Sequence, residues 1–231
     1  MPLSLAGKRI AITGAFGSLG AAVVQAALAA GAKVAAIDRA DAPPPGVDLG
    51  AAGHFGGVDL ADTATAKATI DAAAKALGGL DTLVNIAGTF RWEKLNDGSP
   101  DTFDLLYRVN LRTAVAASKA ALAHLPDGGR VVNIGAAAAL KAGAGMGAYT
   151  ASKSGVMRFT EALAEELKER GITVNAVLPS IIDTPPNRKD MPDADFGKWV
   201  KPQQLADVIV FLLSEQASAI TGALIPVTGR V

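Results

Sequence analysis

Apolar residues in this chain rarely alternate with polar ones. They gather in short, almost solid runs rich in β-branched side chains, at Arg9–Thr13, Lys33–Ile37, 80–85, Arg130–Ile134 and 172–178, each followed by a longer alanine-rich stretch. Runs of this length read as strands and the stretches between them as helices. Strands apolar on both faces are covered on both faces, which predicts a parallel sheet between two helical layers, a doubly wound α/β fold. Glycines break the pattern where helices should end, at Gly31, Gly78, Gly79, Gly128, Gly129 and Gly171, the last just after the basic residues Lys168 and Arg170.

No linker divides the 231 residues, so a single domain over 1–231 is expected, large enough for a substantial core. Two proline-bearing stretches, 42–46 and 184–202, follow strands and read as surface loops. The second is long enough to form a lid over a site.

Composition then removes several kinds of function. Twenty-two basic residues balance twenty-two acidic ones, which gives no electrostatic reason to bind nucleic acid or an anionic membrane, and the expected partner is a small molecule. Cysteine is absent and only His54 and His124 supply imidazole, so no metal site is expected. No apolar run reaches the roughly 20 residues that span a bilayer. The first residues pass into strand-like sequence without the basic segment and apolar run of a secretory signal, so a cytoplasmic location is expected.

Chemistry first appears after the opening strand-like run. Thr13, Gly14, Ala15, Phe16, Gly17, Ser18, Leu19 and Gly20 form a glycine-rich turn between a strand and a helix start. In that context the backbone can approach a pyrophosphate closely, and the free N–H groups and dipole of the helix stabilise its charge. The second run ends in Asp38, where a carboxylate accepts hydrogen bonds from ribose hydroxyls and repels a 2′-phosphate, favouring NAD(H) over NADP(H). Arg39 follows directly and pulls the other way, since a guanidinium can reach a 2′-phosphate. Asp59, before Leu60, stands where a third strand should end. It can meet the adenine amino group or cap the helix that starts near Asp62.

Tyr149 and Lys153 are four residues apart, which puts them on one face of a helix. An ammonium beside a phenol favours the phenolate and lowers its pKa, making the pair an acid–base device.

With these residues in order, the sequence resembles the short-chain dehydrogenase/reductase family over essentially its whole length. The resemblance rests on Thr13 and Gly14 with Gly20, on Asp59, on Asn85, Ile86, Ala87 and Gly88, on Asn110, on Tyr149 to Lys153, and on Pro179 with Thr184. It implies that Tyr149 moves the proton, that Lys153 holds the nicotinamide ribose and tunes Tyr149, and that Asn110 anchors a relay water. It further implies that Asn85, Ala87 and Gly88 line the adenosine side and that Thr184 meets the carboxamide. In this family the helices expected near 110–122 and 149–167 pack between subunits, which implies a homodimer or homotetramer.

Three positions depart from the family pattern. Ser18 replaces the middle glycine of the turn, with Gly17 just before it, and Ile86 replaces an asparagine. Thirteen residues before the tyrosine, Ala136 replaces the serine that binds the substrate oxygen. Loss of such a donor costs carbonyl reduction about 10² to 10³ in rate. The segments around Ala136 and the lid resemble the dihydropteridine reductase branch, which also lacks the serine and uses NADH. That likeness implies a conjugated imine substrate such as quinonoid dihydropterin. Phe90 and Trp92 then either stack on a flat heterocycle at the site mouth or pack against the fold. Two other readings remain: a sugar, alcohol or ketone dehydrogenase of the same family, and a non-catalytic dinucleotide sensor.

Overall fold

The computed structural model describes residues 3–231. Met1 and Pro2, on which part of the amino-terminal reading rests, lie outside them. The chain runs β1 (Arg9–Thr13), α1 (Ser18–Ala29), β2 (Lys33–Ile37), β3 (Gly53–Phe55), α2 (Thr63–Leu77), β4 (Thr82–Asn85) and α3 (Asp101–Leu106). It continues with α4 (Thr113–Ala121), β5 (Arg130–Ile134), α5 (Gly147–Glu166), β6 (Thr173–Pro179), α6 (Pro185–Asp190), α7 (Pro202–Leu213) and β7 (Leu224–Val227). Seven parallel strands lie in the order β3-β2-β1-β4-β5-β6-β7, the doubly wound single domain that the apolar runs predict.

The five expected strands appear with small shifts of boundary. The run at 80–85 pairs only from Thr82, because Asp81 turns its carboxylate to the Arg9 guanidinium and backbone N–H. The run at 172–178 pairs one residue later, through Pro179. Two edge strands depart from the sequence reading. β3 is only Gly53–Phe55 and stops well before Asp59. β7 contains Pro226, a residue that argues against a strand; it is accommodated because β7 is an edge with one neighbour, β6.

Each face of the sheet carries its own apolar layer. α1 and α7 cover one face through Leu19, Val23, Val24, Leu205, Ile209 and Leu212, all buried. α2, α4 and α5 cover the other through Ile70, Ala117 and Leu163 against Leu83, Val131 and Val174. The alanine bias of the helices lets them approach the sheet closely, and each fully buried branched side chain contributes about 1.5–3 kcal/mol. Strand order reverses between β1 and β4, so the crevice for a ligand opens at the carboxyl ends of those two strands.

The helix expected from Asn110 onward is not regular. A π-helical turn, Tyr107–Arg112, separates α3 from α4 and carries Asn110, which is buried. Such turns widen the backbone by one residue and commonly sit at functional sites. The segment 184–202 is also more ordered than a loop. Thr184 caps α6, accepting from the Asn187 N–H at 3.4 Å, and Arg188 is held between Asp183 and the Phe196 ring.

Candidate active site

The turn after β1 is shaped by what lies against it. Gly14 has φ +65°, and a Cβ there would stand 2.7 Å from the Ala87 nitrogen. A Cβ on Gly20 would stand 2.1 Å from the Gly14 carbonyl oxygen. Gly17 has more room, its nearest contact being that same oxygen at 3.5 Å, and Ser18 simply begins α1. The missing middle glycine is therefore tolerated. Thr13 Oγ1 accepts from the Ile86 and Ala87 N–H groups at 3.1 and 3.3 Å, fastening the ends of β1 and β4 together at the switch point. No side chain caps α1, which leaves its first-turn N–H groups for an anion. A cradle closed to side chains and lined with backbone donors fits a dinucleotide pyrophosphate.

Asp38 lies at the rim of this cradle. Its two oxygens accept from the Phe16 N–H at 2.9 Å and the Ala40 N–H at 3.0 Å, so the carboxylate is held between the turn and the end of β2. Phe16 itself points into the core, edge-on to His54, and Leu19 and Leu60 are buried. Arg39 is exposed beside Asp38. Asp59 does not cap α2. Asp62 does, through the Thr65 N–H at 2.7 Å, whereas Asp59 pairs with Arg108.

Asn85 departs from its expected place. Its side chain is buried within the sheet, donating to Ser118 Oγ at 3.0 Å and Asn133 Oδ1 at 2.9 Å, and Asn133 donates on to Thr160. β4 must place alternate side chains on opposite faces, and this one joins α4 and α5 across the central strands instead of lining the adenosine side. Ala87 and Gly88 remain at the crevice.

Tyr149 and Lys153 share one face of α5, with Asn110 opposite. Asn110 Oδ1 accepts from the Thr89 N–H at 2.7 Å, and its amide donates to Ser152 Oγ at 2.9 Å. Ser152 in turn donates to the Tyr149 carbonyl at 2.7 Å. Gly88 marks where these groups converge: a Cβ there would lie 3.0 Å from Asn110 Oδ1 and 3.3 Å from Lys153 Nζ. Thr13 and Ser152, which the sequence placed in motifs without a role of their own, hold this arrangement. Ser152 carried one signal, its position on the buried side of the tyrosine helix next to Lys153.

The electrostatics differ from the expected acid–base pair. Lys153 donates to the Ile134 carbonyl at 2.8 Å, and burial lowers its pKa to about 8. Burial pushes the Tyr149 hydroxyl up to about 12, opposite in direction to the lowering expected from a neighbouring ammonium.

Phe90 stands edge-on to the Tyr149 ring, while Trp92, more than half exposed, donates from Nε1 to the Ala144 carbonyl at 3.0 Å. Trp92 thereby ties the loop after β4 to the loop before α5, resting on Gly145 where a side chain would collide. Ala136 is buried at the head of a short 3-10 turn, Ala137–Ala139. Pro179 ends β6, buried, and Thr184 opens α6 close beyond it. Among the described residues no group of His, Cys, Asp or Glu stands together as a metal site, and no helix is long and apolar enough to cross a membrane.

Known proteins share this architecture. Residues 14–229 match the family model described as enoyl-(acyl carrier protein) reductase. The 2-(S)-hydroxypropyl-CoM dehydrogenase 3 of Xanthobacter autotrophicus is 34% identical, over 95% of this chain and 94% of that protein. The D-threitol dehydrogenase of Mycolicibacterium smegmatis is also 34% identical, over 97% and 93%. A short-chain dehydrogenase from Burkholderia cenocepacia, solved in complex with NADP, superposes with a TM-score of 0.88 at 36% identity, covering 97% of this chain and 98% of that one. The chain belongs to the short-chain dehydrogenase/reductase family of NAD(P)-dependent oxidoreductases.

Proposed function

We propose that this protein reduces a polarised, conjugated C=N bond in a small flat substrate such as quinonoid dihydropterin, using NADH in the cytoplasm. The observation that carries the reading is Ala136, buried at the head of the 3-10 turn, where the family resemblance expects a serine hydroxyl that stabilises a developing alkoxide. A conjugated imine needs a proton on nitrogen and builds no full alkoxide, so one donor suffices.

Gly14, Gly20, Ala87 and Gly88 form the cradle for the dinucleotide, Asp38 takes the ribose hydroxyls, and Thr184 meets the carboxamide. The bound nicotinamide supplies hydride. Lys153, fixed by the Ile134 carbonyl, orients the nicotinamide ribose and stabilises charge at Tyr149, which delivers the proton. Asn110, fixed by Thr89 and Ser152, anchors the water through which Tyr149 is reprotonated. Phe90 and Trp92 form one wall of the substrate mouth, and 184–202 closes over it as a lid. The preference for NADH rests on Asp38; the Burkholderia relative is in complex with NADP, so both dinucleotides belong in the assay. Phe103, Leu105, Tyr107 and Val115, apolar and exposed along 101–115, support packing between subunits in a homodimer or homotetramer.

A second reading, dehydrogenation of an alcohol or sugar alcohol, is favoured by the relatives named for 2-(S)-hydroxypropyl-CoM and D-threitol. Steady-state kcat/KM for quinonoid dihydropterin, set against a panel of ketones, secondary alcohols and alditols, separates the two. A higher value for any alcohol or ketone overturns the imine reading. Tight NADH binding without turnover of any substrate would indicate a dinucleotide sensor instead.

A further inference from the structure

The π-helical turn that buries Asn110 carries two arginines four residues apart, and both reach the loop after β3. Arg108 donates to Asp59 Oδ2 at 2.5 Å, and Arg112 Nε donates to the Ala61 carbonyl at 2.7 Å. Asp59 Oδ1 accepts from the Ala61 N–H at 3.0 Å, so its carboxylate is held from two sides. The same loop is tied to the end of β2, where the Val58 N–H donates to the Asp38 carbonyl at 3.0 Å. Since the Asp62 side chain caps α2, the Asp59 carboxylate is not needed for that cap. What remains is a half-exposed carboxylate, one residue on from the Val58 N–H that bonds the Asp38 carbonyl, with one lone pair still open on each oxygen.

We infer that Arg108 and Arg112 are positioning residues for the adenine end of the dinucleotide, acting through Asp59, and that they couple this end of the site to the turn holding Asn110. An adenine amino group needs an acceptor, which a guanidinium can never be, so Arg108 serves by aiming the carboxylate and Arg112 by fixing Ala61, whose N–H holds its other oxygen. An exposed ion pair contributes little to fold stability by itself, so removing Arg108 leaves a folded protein whose binding can be measured. The inference rests on the dinucleotide reading of the cradle.

Calorimetric titration with ADP-ribose tests it, with reduced nicotinamide mononucleotide as the ligand lacking adenosine and nicotinamide hypoxanthine dinucleotide as the ligand lacking the amino group. Arg108→Ala and Arg112→Ala should each weaken ADP-ribose binding about three- to fivefold. They should narrow the preference for adenine over hypoxanthine and leave the mononucleotide unaffected. In an Asp59→Ala background, Arg108→Ala should cost nothing further. Equal losses for mononucleotide and dinucleotide, an unchanged adenine preference, or losses that add in the double variant would overturn the assignment; a melting curve for each variant confirms that it is folded. Failure of the unmodified protein to bind NADH or ADP-ribose would overturn the dinucleotide reading itself, a result distinct from loss of the arginine effect alone.

Discussion

The ring of Phe90 stands edge-on to the ring of Tyr149, with centroids 4.9 Å apart and planes at 80°. Phe90 belongs to the loop after β4 and Tyr149 to α5, so this contact shields the phenol from outside its own helix. Edge-to-face pairs of this kind contribute about 0.5–1.5 kcal/mol beyond their buried area. Phe90→Ala should admit water to Tyr149 and lower its pKa from about 12 toward the usual 10. Ultraviolet difference titration of the phenol, with Tyr149→Phe as the blank, reads the shift. An unmoved titration would show that Phe90 does not shield it.

Lys153 makes stability depend on pH. Its folded pKa, about 8, lies below the 10.5 of the unfolded chain, so between those values the unfolded state binds more protons and stability rises with pH. The penalty is complete below pH 8 and on the order of 3 kcal/mol. Lys153→Met, which also orphans the Ile134 carbonyl, should be inactive yet more stable than the parent at pH 7. Its advantage should fade above pH 10 in chemical denaturation. A variant less stable at every pH would contradict this.

At the dinucleotide turn, two glycines should behave differently. Gly20→Ala drives a methyl into the Gly14 carbonyl and should cost at least the 1–3 kcal/mol typical of overpacking, together with NADH binding. Gly17→Ala meets nothing closer than 3.5 Å and should keep its melting temperature within a few degrees.

Ala136→Ser places a hydroxyl at the head of the 3-10 turn. If a missing oxyanion donor is what limits ketone reduction, kcat/KM on simple ketones should rise about 10² to 10³-fold, with NADH affinity unchanged. No gain on any ketone would show that the hydroxyl's absence is not limiting.

Asp38→Asn keeps an acceptor for the Phe16 N–H and removes the charge that opposes a 2′-phosphate. The ratio of kcat/KM for NADPH over NADH should rise at least tenfold, about 1.4 kcal/mol. An unchanged ratio would remove Asp38 as the discriminator.

Much of this protein was legible in one dimension. Five buried strands, the parallel sheet and the glycine-rich turn follow from unbroken apolar runs and from glycine, whose missing side chain is a local property. The spacing of Tyr149 and Lys153 likewise needs only the pitch of a helix. β3 and β7 were hidden because an edge strand of three or four residues has too little burial to print a pattern, and one of them contains Pro226.

Other features depended on residues far apart in the chain. No local signal marks the π-turn at Asn110, whose side chain finds its partners, Thr89 and Ser152, in other elements. Asn85 looked like a ligand until the sheet placed it beside Ser118 and Asn133. Helical spacing points to a lowered pKa for Tyr149 and burial raises it, because burial is a property of everything packed around a residue. Sequence alone determined which backbone segments could form and which chemistry they carried. Tertiary structure decided which polar groups face the crevice and which are spent inside the fold, since desolvation and hydrogen bonding across the sheet act only between segments already brought together.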